Sequence, residues 1–221
     1  MSNNKPSGAI PSEQLLLVEG LNDQHVICNL AKKYDIPKTF SVKTAKDGGI
    51  SSALEQFRIE LKQSKIKTLG IVIDADQNIA SRWQAISNIL IKSHCQEIPK
   101  KPQSGGWIQA LSEELELPRL GVWLMPDNQS SGMLEDFVLS LIPPDDLLLA
   151  KAKTIVHEIE QEKLNQYKDS YHAKALIHTW LAWQETPGQP MGQAIKKLQA
   201  DTAIAAKFVD WLNQLFNPTD Q

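Results

Sequence analysis

Two cysteines in 221 residues, Cys28 and Cys95, are too few and too far apart for a disulfide framework. With no C-x-x-C spacing they also exclude a zinc ribbon. Free buried thiols in a reducing compartment are what they favour. No apolar run approaches the ~18 residues of a membrane span. The N-terminal stretch MSNNKPSGAIPSEQ has neither the basic nor the apolar segment of a secretory signal, so no membrane partner and a cytoplasmic location are expected. Basic runs are missing too: 23 Lys and Arg face 26 Asp and Glu, a net charge of −3. A long duplex held by charge alone is thereby excluded. Any contact with nucleic acid must be local, or be supplied by metal ions or a partner. There is no G-x-x-x-x-G-K-[ST] phosphate loop, no H-E-x-x-H and no G-x-S-x-G elbow.

What is present is an ordinary globular composition, 42% hydrophobic and 22% charged. A chain of this length buries roughly 70% of its unfolded surface and needs no metal or disulfide to fold. Residues 1–13 read as a loose arm. Short apolar runs then alternate with amphipathic stretches. LLLV (15–18), TFSVKT (39–44), LGIVID (69–74) and LGVWLM (120–125) read as strands. Residues 22–34, 50–63, 79–91 and 133–141 carry helical periodicity between and after them, with Asn22 or Asp23 as a plausible first cap. Residues 97–106 (EIPKKPQSGG) are a loop by composition. LGIVID has no polar alternation, which suits a strand covered on both faces in a parallel sheet. Beyond Pro143 and Pro144 only helices are signalled, over 145–167, 172–184, 193–198 and 203–216, with Trp180, Trp183 and Trp211 on apolar faces. The expectation is an α/β unit over 14–142, a Rossmann-like parallel sheet flanked by helices, followed by an all-helical C-terminal extension over 143–221.

In an open α/β sheet, ligands collect at the C-terminal ends of the strands. Three of the expected strands deliver carboxylates there. The first runs into Glu19, with Asp23 four residues on. The third runs into Asp74-Ala75-Asp76. The fourth runs into Asp127, with Glu135 and Asp136 at the next helix. In extended chain, residues i and i+2 share a face, so Asp74 and Asp76 project together. Carboxylates that close repel unless a cation lies between them. Mg²⁺, which takes one or two carboxylates and keeps several waters, is the ion that bridges protein carboxylates and phosphate oxygens. Glu19 could complete such a site or act as general acid or base.

A Glu at the end of the first strand, an Asp at the start of the next helix and a hydrophobic strand ending in D-x-D form a pattern that resembles the Toprim domain. VEGLND (18–23) and IDAD (73–76) match its two motifs, and the resemblance covers roughly residues 14–140. DADQNIASRW (74–83), PDNQSSGMLEDF (126–137) and KALIHTWLAWQETPGQPMGQAI (174–195) look like one group of stand-alone bacterial Toprim-like proteins of uncharacterised function, related to the overcoming-lysogenization-defect nucleases. The resemblance implies a Toprim-like fold. It makes Glu19 the general acid or base and Asp74 and Asp76 ligands of Mg²⁺, with Mn²⁺ an alternative. Glu135 would help hold a second ion, with Asp23, Asp127, Asp136 and Arg82 in support. Lys46, Lys174 and Arg82 are candidates for a cation beside the scissile phosphate.

The departures are also informative. The chain lacks the large tyrosine-bearing domain of topoisomerases, the zinc ribbon of primases and the ATPase domain of the overcoming-lysogenization-defect nucleases. The expectation is a Mg²⁺-dependent phosphodiesterase acting on DNA or RNA. The rival is a non-catalytic metal- or nucleotide-binding module that docks on an ATPase partner in trans. Phosphoryl chemistry on a small nucleotide is a third course, and a homodimer through the helical part is left open. The five histidines show no metal spacing. Gly48-Gly49, between a strand and a helix, lacks a full phosphate-loop pattern, and Ser51 is read as a helix cap.

Overall fold

The computed structural model describes residues 13–196, 198 and 202–218. The expected arm, 1–13, falls outside them except for Glu13. Alternation of strand and helix gives β1 (Gln14–Val18), α1 (Leu21–Lys33), β2 (Ser41–Thr44), α2 (Gly49–Glu60), β3 (Thr68–Asp74), α3 (Ile79–Lys92), β4 (Trp107–Gln109), β5 (Arg119–Met125) and α4 (Leu134–Ser140). The strands form one sheet in the order β2-β1-β3-β5-β4. The first three pairings are parallel and β4 joins β5 antiparallel. β4 is the element that hydrophobic pattern does not announce. Three residues are too few to alternate, and the strand exists through its pairing with β5 at an edge.

Period-two alternation sorts the strand residues to two faces. Leu15, Leu17, Leu69, Ile71, Ile73, Leu120, Val122 and Leu124 join Ala53, Phe57, Trp83, Ile86 and Leu90 of α2 and α3 in one core. Leu16, Val18, Val72, Trp123 and Met125 face the other way and join α1, α4 and the helices that follow. Both faces are thus covered, which is why β3 and β5 carry apolar residues at nearly every position.

After α4 come α5 (Leu147–Gln161), a short 3₁₀ turn (Asp169–Tyr171), α6 (His172–Ala182), α7 (Met191–Ile195) and α8 (Ala203–Phe216). α5 stops well before Tyr167 because the chain turns left-handed at Lys163, φ 56°, and Leu164 closes the end by donating to the Ile159 carbonyl. The C-terminal helices lie on the sheet rather than projecting from it. α8 reaches the strands because β3 and β5 carry glycines at paired positions, Gly70 opposite Gly121. A Cβ on Gly121 would lie 2.5 Å from Leu215 Cδ2, and one on Gly70 would lie 2.9 Å from the same atom. Trp211, Phe208 and Trp123 pack edge and face around this contact. Trp180 and Trp211 are core, whereas Trp183, at the end of α6, is exposed. The cysteines also depart from expectation: Cys28 is exposed and Cys95 half-buried, both unpaired.

Candidate functional site

β1, β3 and β5 run side by side and end together, so the residues that follow them meet at one edge of the sheet. Glu19 leaves β1 half-buried and accepts the backbone N–H of Asp74 at 2.9 Å. That bond joins the first two strand ends. Asp74 closes β3, and its Oδ1 accepts the backbone N–H of Leu134 at the start of α4, 2.9 Å away. Glu135 is the next residue on that helix, only 3% exposed. Asp23 comes from the first turn of α1. That helix begins at Leu21 with Gly20 as its cap residue, so neither Asn22 nor Asp23 caps it. Asp23 is instead turned inward, 7% exposed, and its buried Oδ1 has no hydrogen-bond partner among the described residues.

These four carboxylates act on one another. Burial, then the charges of Asp23, Glu19 and Glu135, push the Asp74 carboxyl up to about 9. Burial, then Glu19 and Glu135, push Asp23 up to about 7. Glu19 is raised as well, chiefly by burial and against the pull of its bond to Asp74. Carboxylates with such shifts in a strand-end site make it the candidate functional site of the chain.

The other acidic residues are committed elsewhere. Asp76 is half-exposed at the rim, ion-paired to Arg82, and takes a left-handed conformation, φ 51°. Its backbone exchanges two hydrogen bonds with Gly132, 2.8 and 2.7 Å, which strap the loop after β3 to the loop after β5. Arg82 in turn donates from Nε to the Asp74 carbonyl at 2.9 Å. Asp76 still acts through space on Glu19. Asp136 caps α4, accepting the Met133 N–H at 2.9 Å. Asp127 accepts the N–H groups of Gln129 and Ser130 in its own turn.

Of the expected cations, Lys174 is the one that reaches the buried carboxylates. Its Nζ stands 3.2 Å from Glu135 Oε1. Lys46 is exposed on the loop after β2. Next to Lys46, the Gly48-Gly49 turn has positive φ at both glycines, and Gly49 donates to the Glu19 carbonyl at 3.1 Å. Gly48 caps α2 in place of Ser51. His172 pairs with Glu160 rather than joining the site.

Beside the site a cleft of about 420 Å³ opens between Asp76, Asn78, Ser81 and Arg82 on one wall and Ser170 and Tyr171 on the other. A larger hollow, about 800 Å³, lies at the opposite end of the strands by Lys67, Lys92 and Leu117, away from the carboxylates.

The sequence model of one family, described as a protein of unknown function (DUF3226), matches residues 13–217. The chain belongs to this family. The DUF3226 match takes in the strand-end carboxylates and Lys174 alike, so sheet and C-terminal helices fall within one family unit. No curated protein and no solved structure matches the chain.

Hard oxygen donors are the chemistry that Mg²⁺ and Mn²⁺ prefer, and the unpartnered Asp23 Oδ1 is a donor with nothing to satisfy it. The donor set therefore suits such an ion. Among the described residues, however, no three His, Cys, Asp or Glu side chains are disposed to hold a metal as they stand. Arg82 occupies Asp76 at the rim, and Lys174 occupies the buried Glu135.

Proposed function

We propose that this protein is a metal-dependent phosphodiesterase of Toprim type that cleaves nucleic acid. The observation that carries the reading is the convergence of Glu19, Asp23, Asp74 and Glu135 at one sheet edge, Asp23 and Glu135 buried, Glu19 and Asp74 half-buried, and their charges acting on one another. A structural network of that kind is costly, because carboxylates so close and so desolvated cannot all ionise without a cation among them. Glu19, Asp74, Asp76 and Glu135 would hold Mg²⁺ or Mn²⁺, with Asp23 behind them. Bound there, the ion would polarise a phosphoryl oxygen and lower the pKa of a coordinated water. Glu19 would take or return the proton at its Oε2, since Oε1 accepts the Asp74 N–H. Arg82, on the wall of the cleft, would meet the phosphate on the substrate side.

Calorimetry with Mg²⁺ and Mn²⁺ on the wild type and on Asp74→Ala/Asp76→Ala, with supercoiled plasmid and RNA incubated with the same samples, tests this. The expected outcome is metal binding and cleavage by the wild type and neither by the variant. Metal-dependent cleavage that survives in Asp74→Ala would sink the site assignment.

One observation favours a second reading, a non-catalytic module that binds a metal or nucleotide and docks on an ATPase. Asp76 and Glu135 already carry protein cations, so the cluster can persist without an ion. Metal binding without cleavage of either polymer would select it.

A further inference from the structure

The two cations at the site are held differently. Arg82 is bound twice, to Asp76 and to the Asp74 carbonyl, and its side chain is 17% exposed. It is part of the frame. Lys174 touches the cluster at one atom, and its side chain is 47% exposed while that of Glu135 is 4% exposed. Of the pair, Glu135 is the fixed partner and Lys174 the one that can leave. The lysine also comes from far along the chain, from the first turn of α6, and its Nζ lies 5.8 Å from the Tyr171 ring centroid. A four-carbon stem rooted at the surface can swing its ammonium into water without disturbing the core.

We propose that the Lys174 ammonium is the resident counter-cation of the metal-free carboxylate cluster, and that it must leave Glu135 before a divalent ion can use that carboxylate. The proposal rests on the reading of the cluster as a divalent-metal site. A buried carboxylate stays ionised only with a cation beside it, the alternative being to take up a proton. Lys174 is the cation paired with it among the described residues. Asp23 is the second feature: its Oδ1 is buried, has no hydrogen-bond partner among the described residues, and feels the charges of Glu19 and Glu135. The lysine satisfies Glu135 and leaves that Asp23 oxygen for an incoming ion. The affinity for metal is then set by a competition, and Lys174 weakens it. Tyr171, whose ring lies near the ammonium, lines the same cleft as Arg82.

The test compares the full-length wild type with Lys174→Met, Lys174→Arg and Lys174→Met/Glu135→Gln. Met keeps the stem and removes the charge, and Arg keeps a cation. In EDTA, Lys174→Met is expected to melt a few degrees below the wild type, and adding Glu135→Gln is expected to restore the melting temperature. Titrated with Mn²⁺ by calorimetry, Lys174→Met is expected to bind about tenfold more tightly, because a competing charge is gone. Lys174→Arg should remain close to the wild type in both. An unchanged melting temperature for Lys174→Met overturns the counter-cation role. Mn²⁺ binding by wild type with the same or weaker affinity in Lys174→Met overturns the competition and leaves the metal reading intact. Binding by neither protein overturns both together.

Discussion

At the scale of single residues, Asp74 holds the most consequence. Its carboxyl lies at the meeting point of β3, α1 and α4, and its pKa rises from the ordinary 3.8 to about 9. The protonated form is the one the fold prefers. Its contribution to stability is fully present below about pH 4 and is lost as the pH rises through 9, because over that window the folded state binds the proton and the unfolded state does not. Asp74→Asn keeps an oxygen for the Leu134 N–H and removes the charge. In EDTA the variant should be more stable than the wild type by on the order of 2 kcal/mol at pH 8, and nearly equal to it at pH 4. Urea denaturation at the two pH values checks this, and a variant less stable at pH 8 would contradict the electrostatic account. Much of this site is legible in sequence. Glu19 and Asp74 stand at the ends of apolar strands and Glu135 at the start of the helix after another, and in an open α/β sheet such positions gather at one edge. Asp23 is legible as an acidic residue near a helix start, but not as buried, because one-dimensional pattern does not say which way the first turn of α1 faces. The pairings Asp76–Arg82 and Glu135–Lys174 depend on where α3 and α6 come to rest, and on side-chain reach within that packing.

At the scale of elements, the strands are the legible part and their neighbours the less legible. Three of the five read directly as apolar runs and β2 as a stretch of β-branched residues, and LGIVID announces burial on both faces. The glycines inside β3 and β5 would ordinarily weaken a strand. Their meaning appears only in register, where Gly70 and Gly121 sit side by side beneath Leu215 and leave room for α8. Gly121→Ala would set a methyl 2.5 Å from Leu215 Cδ2 and 3.1 Å from Trp211 Cζ2. Leu215 and the indole are both fully buried, so neither has open space to move into. The substitution should cost about 1–3 kcal/mol by overpacking, with the strand-end site intact. Chemical denaturation beside a Mn²⁺ titration separates the two effects: lower stability with unaltered metal affinity is the expected result. A neutral or stabilising Gly121→Ala would mean that α8 does not rest on the glycines. Helix ends diverge from periodicity for a local reason. The apolar rhythm of α5 continues past the left-handed Lys163, and backbone conformation, not hydrophobicity, ends that helix.

At the scale of the whole molecule, sequence divides what packing joins. The two prolines at 143 and 144 and the loss of strand signals suggest an α/β unit with an appendage. The structure instead runs one apolar cluster from Leu16 and Val72 of the sheet through Phe137 of α4 to Leu176, Ile177, Phe208, Trp211 and Leu215 of the C-terminal helices. α1 and α7 meet so closely that a Cβ on Gly192 would lie 2.9 Å from the His25 carbonyl carbon. One face of β1, β3 and β5 therefore has its principal cover in residues beyond 143. An exposed apolar face of that extent is not stable in water. The segment 1–142 alone should then fail to reach a unique fold: it should be insoluble, or retain far-ultraviolet circular dichroism with neither a near-ultraviolet signal nor a cooperative melt. It would also lack Lys174. Adding 143–221 as a separate chain should restore the near-ultraviolet signal if the deficit is the missing cover alone. A soluble 1–142 that melts cooperatively would show that the sheet folds without its C-terminal helices, and the strand-end carboxylates would then have to be read without the lysine those helices bring to them.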